Sequence, residues 1–334
     1  MVHLRIVVPS HQSQHVLDLL NATPSVCDLI YLPRAAYKPE GDVILCDVAR
    51  EDASVIISDL RELDVDKEGS IAMENIDSLV SDAALRAEKA AAGAPSDAVV
   101  WEEIETRTSE ETELSVTFLA FMVIAMLIAA AGIILDQTIL LVGAMIVGPE
   151  FGPLAALMVA TVQLRGDLAR RSLAALLVGF PVGIVLTYFA TLLLIWTGVA
   201  PDTLTDRPFT DFISHPDFFS FMVAYLAGAA GVLSLTAAKS GALVGVLVSV
   251  VTIPAAANIG VAAAYEDWNE CVGAAAQLSI NLASILLAGI TILYLQRRFY
   301  IARRRRHFGD EARELAGLPL GKSRRFEGPH DEAP

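Results

Sequence analysis

The chain has 334 residues, of which 54% are apolar and only 19% are charged. A soluble domain of this length carries more charge, so the composition predicts a lipid environment for much of the chain. The net charge of −15 resides mainly in residues 1–113, which carry −14, and this acidity excludes nucleic acid as an expected partner.

The cysteines and histidines do not form a recognisable metal or disulfide pattern. Cys27, Cys46 and Cys271 are far apart, which is typical of buried or unpaired thiols in a reducing compartment. His11 and His15 stand one helical turn apart but have no evident third ligand, so no metal and no cofactor are expected. The first residues lack the features of a signal peptide, and the first membrane helix is expected to direct insertion.

The front of the chain alternates between short strands and helices. Helices are expected to begin at Ser10 and Asp52, and Pro33, Pro39 and Gly41 are expected to turn the chain between the second and third strands. The order βαββαβ predicts a ferredoxin-like domain over residues 1–78, with two helices on one face of an antiparallel sheet. The predicted strands are 3–8, 27–32, 42–48 and 70–76.

The predicted sheet is apolar on both of its faces. One set of apolar residues suits the face covered by helices, whereas Val7, Val43 and Leu45 fall on the opposite face. A second apolar face predicts packing against another surface, most simply a second copy of the domain, and hence a homodimer. Isolated exposed apolar residues are also common, and this alternative stays open.

A predominantly apolar region follows a polar connector. Residues 79–114 are helix-prone and polar, and they predict a helical connector that enters the membrane. Six apolar stretches then predict a six-helix transmembrane domain over residues 115–296, because each can cross about 30 Å of hydrocarbon. Residues 297–334 form a basic cytoplasmic tail that we expect to be disordered at its end. The predicted spans are 115–135, 138–164, 172–197, 218–237, 241–263 and 272–296.

Basic and acidic residues alternate between the connections of these spans. Basic residues lie in 163–171, at Lys239 and from Arg297 onward, whereas Asp136, 201–217 and 266–267 are mainly acidic. Because basic connections remain in the cytoplasm, both termini are predicted to be cytoplasmic. The expected location is the cell inner (plasma) membrane, with a multi-pass protein in contact with the lipid bilayer.

Helix-breaking residues lie near the middle of the second and fifth predicted spans. Gly148, Pro149, Gly152 and Pro153 remove backbone donors and helix preference from the second span, and Pro254 interrupts the fifth. The two three-helix halves have opposite orientation, and paired breaks in such an inverted repeat indicate the central site of a transporter. Glycine and proline also shape packing in many membrane helices, which is the alternative.

Glu150 is the strongest candidate for a functional residue. It lies about 18 Å into its span, where a carboxylate costs several kcal/mol unless it is protonated, paired or hydrated. Such a group is a candidate to bind a cation or carry a proton; the alternative is a permanently protonated structural acid. Asn258, Gln277 and Asn281 add neutral polar groups that either complete a site or join helices by hydrogen bonds.

The segment GAMIVGPEFGPL, residues 143–154, with NIGVA and LSINLA downstream, resembles a prokaryotic family of membrane proteins, the uncharacterised hydrophobic domain called domain of unknown function 389. DVAREDASVIISDLREL and DAVVWEEIETRTSEETELSVTFLAF resemble its actinobacterial branch. The resemblance covers nearly the whole chain. It implies no activity, and many members have an apolar residue where this chain has Glu150.

We therefore expect a secondary transporter or channel for an unknown small solute or ion, with the front domain as a regulatory or dimerising module. The alternative is a membrane-anchored sensor whose front domain binds a metabolite. No enzymatic activity is expected, since the sequence offers no nucleophile–base pair, phosphate loop or metal cluster.

Overall fold

The computed structural model describes residues 1–76, 78–91, 98–110, 112–201, 203–204, 207–237 and 252–321. The chain separates into two compact units. The first unit combines Met1–Glu102 with the chain from Gln296 onward, and the second comprises Glu103–Leu295. The first unit therefore joins segments from both ends of the sequence, whereas the sequence predicted a front domain and a separate tail.

The first unit contains a small antiparallel sheet with the strand order β2-β3-β1-β4. Period-two alternation places Leu4 and Ile6 of β1 with Ile44 and Cys46 of β3 in the fully buried core. The elements in chain order are β1 (Val2–Val8), α1 (Ser13–Ala22), β2 (Val26–Tyr37), β3 (Glu40–Val48), α2 (Arg50–Glu62), α3 (Val65–Glu68), β4 (Ser70–Asn75) and α4 (Asp82–Ala90).

Three boundaries that were predicted from proline or from helix caps differ in the structure. β2 continues through Pro33 to Tyr37, because proline is tolerated at the irregularity of an edge strand. α1 begins at Ser13 rather than Ser10, whose hydroxyl donates to Asp42 instead of capping the helix. α2 begins at Arg50, before the expected cap Asp52.

The described residues of the connector and of the membrane half form a series of helices. These elements are α5 (Trp101–Glu110), α6 (Val116–Ile134), α7 (Thr138–Val147), α8 (Phe151–Gln163), α9 (Gly166–Trp196), a 3₁₀-helix (Asp211–Ser214), α10 (Phe218–Thr236), α11 (Thr252–Ala264), α12 (Trp268–His307) and α13 (Glu311–Leu315).

Within the described ranges, four helices are long and apolar enough to cross a membrane: α6, α9, α10 and α12. α7 and α8 together make a fifth candidate span, bent by 53° at a short break. The chain is thus a membrane protein with four or five candidate spans among its described residues. The predicted fifth span, 241–263, lies partly outside them, and its described part is the apolar helix α11.

Two helices extend beyond the spans that hydropathy predicted. α9 already begins at Gly166, inside the expected basic connection, because Leu164 ends α8 in a left-handed conformation and leaves room for only a short turn. α12 continues past residue 296 to His307. The apolar stretch of the sequence ends where the arginines begin. The helix continues, because arginine is a good helix former.

A buried ion-pair network fixes the C-terminal segment within the first unit. Arg313 contacts Asp59 and Glu62 of α2, and all three side chains are fully buried. Arg304 reaches Glu62 at 3.2 Å, and His307 Nε2 lies 2.8 Å from Asp59. Ala312, Ala316 and Leu318 join the apolar core beside α1 and α2. The described start of the predicted tail is therefore folded.

Candidate functional site

The second candidate span is interrupted where the sequence predicted. α7 ends at Val147 and α8 begins at Phe151, so Gly148, Pro149 and Glu150 form the break. Pro153 lies in the first turn of α8, where backbone N–H groups have no intrahelical acceptor and its missing donor costs little. Gly152 is buried in the same turn.

Glu150 lies in this break with its side chain buried; the residue is 6% exposed. Its Oε1 accepts a hydrogen bond from Thr252 Oγ1 at 2.6 Å. Its Oε2 has no hydrogen-bond partner among the residues that the structure describes. A buried carboxyl oxygen without a donor is costly when ionised, so the geometry leaves Oε2 as the atom that can take a proton or a cation.

Gly148 makes the position of this carboxyl group possible. A Cβ atom at Gly148 would collide with Glu150 Oε2 and would lie 2.7 Å from Ile253 Cγ1. Only glycine lets the broken segment and the start of the described part of α11 approach this closely. Pro254 lies next to Ile253 inside α11 (Thr252–Ala264), and the residues before Thr252 lie outside the described part of the chain, so the predicted break of the fifth span stays a prediction. Thr252 is a participant that the sequence analysis missed.

Asn258 lies in a second polar cluster. Six residues separate it from Thr252, or about 9 Å along α11. Asn258 is 1% exposed, and its Nδ2 donates to Glu270 Oε1 at 3.0 Å. Arg207 Nη2 donates to the same oxygen. The sequence did not predict Arg207 and Glu270 as site residues, because they lie 63 positions apart and no local pattern connects them.

The loop that carries Arg207 is held by contacts at both of its sides. Asp136 Oδ1 accepts from Thr210 Oγ1 at 2.9 Å and from the backbone N–H of Phe209 at 3.2 Å. Gly273 of α12 lies directly against the carbonyl of Ser214. These contacts place the guanidinium beside the first turn of α12, where Glu270 stands.

Gln277 and Asn281 continue the polar face of α12. Gln277 lies two helical turns beyond Glu270, and Asn281 and Ser284 lie one and two turns further, so all four share one face. Gln277 Nε2 donates to Asn281 Oδ1 at 3.2 Å, and both residues are buried. Gln277 Oε1 has no partner in the described part of the chain. The predicted site residues therefore occupy three places rather than one.

A different polar cluster lies in the first unit around Asp42. Its carboxylate accepts from Ser10, Ser13 and Tyr31 hydroxyls at 2.6–2.8 Å and from the Arg34 backbone N–H at 2.8 Å. Burial opposes ionisation, but these four hydrogen bonds outweigh it and hold the pKa of Asp42 below its usual range. The cluster joins α1 to the two strands β2 and β3, which gives it a structural role.

No group of three or more His, Cys, Asp or Glu side chains in the described residues has the geometry of a metal site. A protein family matches part of the membrane half. Residues 145–287 match the family model "Domain of unknown function (DUF389)", and this segment includes all nine predicted site residues.

A relative from Methanocaldococcus jannaschii, described as an uncharacterized protein, is 28% identical over 194 residues. The alignment covers 58% of this chain and 58% of the relative, so the chain spans less than two thirds of that protein. No solved structure matches. The resemblance found in the glycine-proline motif is confirmed, because residues 145–287 match the DUF389 family model.

Proposed function

We propose that the chain is a secondary transporter or channel for a small solute or ion, and that Glu150 is its ion-binding or proton-binding group. One observation carries this proposal. Glu150 is buried in a broken membrane helix, with one carboxyl oxygen bound by Thr252 and the other without a partner among the described residues. A membrane anchor needs neither a broken helix nor a buried carboxyl group, since both cost stability.

The proposed architecture has six spans in two inverted halves. α11 would be the part of the fifth span beyond its break, as α8 is the part of the second span beyond its own break, and both are apolar helices. This symmetry would bring two interrupted spans together at Glu150 and Thr252. Substrate sites in inverted-repeat transporters lie between such discontinuous helices.

We propose that the front domain is ferredoxin-like and that it dimerises. The strand order β2-β3-β1-β4 with antiparallel neighbours supports that fold. Ile30 and Leu32 of β2, which are 50% and 42% exposed, lie in register with Leu45 and Val43 on the outer face of the sheet. An apolar outer face of this kind supports a second copy of the domain as the partner.

The proposed orientation, in the cell inner (plasma) membrane, has both termini in the cytoplasm. A cysteine introduced at Thr203 should react with a membrane-impermeant maleimide added outside cells, and one introduced at Gly321 should react only after permeabilisation. Burial raises the pKa of Cys27 to about 11 and that of Cys46 to about 12, so these thiols give little background. Cys271 is partly exposed and is replaced by serine in both labelling variants. The reverse labelling pattern would contradict the orientation.

Carbodiimide labelling tests the role of Glu150 without a known substrate. Dicyclohexylcarbodiimide reacts with protonated carboxyl groups in apolar surroundings, so Glu150 of the wild type should be modified, and less so as the pH is raised. Glu150→Gln should abolish the modification, whereas Glu266→Gln, at an exposed position, should leave it unchanged. Mass spectrometry of the purified protein identifies the modified residue.

Flux measurements then separate a transporter from a membrane-anchored sensor. Proteoliposomes with a trapped pH dye should show proton movement under an imposed membrane potential with the wild type and not with Glu150→Gln. Labelling that does not change with pH, together with equal flux in both proteins, would contradict the proposal and favour the sensor. The proposal includes no enzymatic activity.

A further inference from the structure

The cluster of Arg207, Glu270 and Asn258 contains two buried polar groups that are not satisfied. Arg207 Nη2 and Asn258 Nδ2 both donate to Glu270 Oε1. Arg207 Nη1 and Asn258 Oδ1 have no hydrogen-bond partner among the residues described. The Arg207 side chain is 8% exposed and Asn258 is 1% exposed, so neither group is open to bulk water.

An unsatisfied buried donor beside an unsatisfied buried acceptor is costly, since each such group loses its hydration without compensation. The pair also defines what would satisfy it. A ligand must offer an acceptor to Arg207 and an N–H or O–H donor to Asn258. The charges of Arg207 and Glu270 cancel, so a ligand of zero net charge leaves no uncompensated charge in the cluster.

We propose that Arg207, Glu270 and Asn258 form a binding site for a small solute of zero net charge that carries both an acceptor oxygen and an N–H donor, such as a zwitterionic amino acid or a primary amide. The site lies at the N-terminal end of α12, and Gln277 and Asn281 follow further along the same helix. This assignment rests on the transport function proposed above and names the class of its substrate.

The polar face of α12 gives this site a continuation into the membrane. Glu270, Gln277, Asn281 and Ser284 repeat at intervals of seven, four and three residues, which keeps them on one side of the helix. Gln277, Asn281 and Ser284 are each at most 3% exposed. A solute that leaves the first cluster can form the same kinds of hydrogen bond with the next amide side chain on this face. It therefore keeps some of its hydrogen bonds as it moves along the helix.

Cys271 provides a native reporter for this site. It follows Glu270 directly, and its Sγ lies 3.7 Å from the carbonyl oxygen of Ile259, the neighbour of Asn258. Cys271 is partly exposed, unlike Cys27 and Cys46, which are buried. The rate at which N-ethylmaleimide modifies Cys271 of the full-length protein in detergent therefore measures access to the cluster.

Glycine and acetamide are the probes, and acetate and methylammonium are the charged controls. We expect glycine or acetamide to slow Cys271 modification at least threefold with saturation, and the two charged compounds to leave the rate unchanged. Asn258→Leu removes the unsatisfied acceptor and should abolish the protection. The double variant Arg207→Gln with Glu270→Gln should also abolish it, while avoiding a buried charge without its partner.

Cys271 modification measures binding independently of flux, so failure of the binding site can be distinguished from failure of the transport function. Protection that persists in Glu150→Gln, while flux is lost, supports both the site and the transport function. Protection without flux in any protein leaves the site standing and contradicts the transport function. Absence of protection in the wild type up to about 10 mM probe, tenfold above a Kd of about 1 mM, would overturn the site, as would equal protection by acetate or methylammonium.

Discussion

Replacing Arg313 by alanine should release the C-terminal segment of the first unit. Arg313 is fully buried, and its guanidinium contacts Asp59 and Glu62, which are buried as well. It also lies 4.8 Å from the ring centroid of Phe308, a cation–π contact. Arg313→Ala removes the cation that two buried carboxylates share.

The expected cost follows from what remains after the substitution. Loss of one partner of a buried ion pair costs about 3–5 kcal/mol, because the other charge stays buried. Glu62 keeps Arg304 at 3.2 Å, and Asp59 keeps His307 at 2.8 Å, so the lower value applies. About 3 kcal/mol corresponds to a roughly hundredfold larger population of the released segment.

Limited proteolysis measures this population. A glutamate-specific protease should cleave the full-length protein after Glu311 and Glu314 only when α13 opens, at a rate proportional to the open population if reclosing is fast. Arg313→Ala should be cleaved roughly a hundredfold faster than the wild type. Arg306→Ala, at an exposed arginine, is the matched control. Equal rates for the two variants would refute the network as the element that holds the segment.

Three further substitutions test other parts of the structure. Asp42→Asn should destabilise the first unit by about 1.5–3 kcal/mol. Because folding lowers the pKa of Asp42, the wild-type protein should lose stability when the pH drops below about 4. Hydrogen exchange of β1 and β3 measures both effects. Gly148→Ala should lower the melting temperature through a clash that costs about 1–3 kcal/mol, whereas Gly143→Ala, in open space, should not. Val43→Lys should weaken self-association in light scattering, and Val80→Lys, 98% exposed and outside the sheet, should leave it unchanged.

The parts of the fold that the sequence predicted are those with local signals. Alternating residues located the four strands to within a few positions, except at Pro33, where the edge position of β2 relaxes the usual exclusion of proline. The glycines and prolines at 148–153 predicted the break in the second span correctly. Proline has no backbone N–H group, and two such losses close together disrupt the hydrogen bonds of a helix interior.

The contacts missed by the sequence prediction join residues that are distant along the chain. Glu150 and Thr252 are separated by 102 positions, and Arg313 and Asp59 by 254. The hydroxyl of Thr252 has no periodicity that distinguishes it from other threonines in apolar helices. The arginines after residue 296 mark the end of hydropathy, but their buried carboxylate partners on α2 become apparent only once both segments occupy one core.

In the proposed transporter, the two polar clusters of the membrane half would serve different parts of the chemistry, one the ion and the other the solute. Glu150 offers one ionisable oxygen in apolar surroundings, which suits a proton or a cation and gives little recognition of shape. Arg207 and Asn258 offer a fixed donor and a fixed acceptor around a neutralised carboxylate, which suits recognition of a solute. α11 carries both Thr252 and Asn258, so a movement of this helix that alters the Glu150 contact also alters the second cluster. In the proposed transporter, α11 would be the element through which binding of the ion and binding of the solute influence each other.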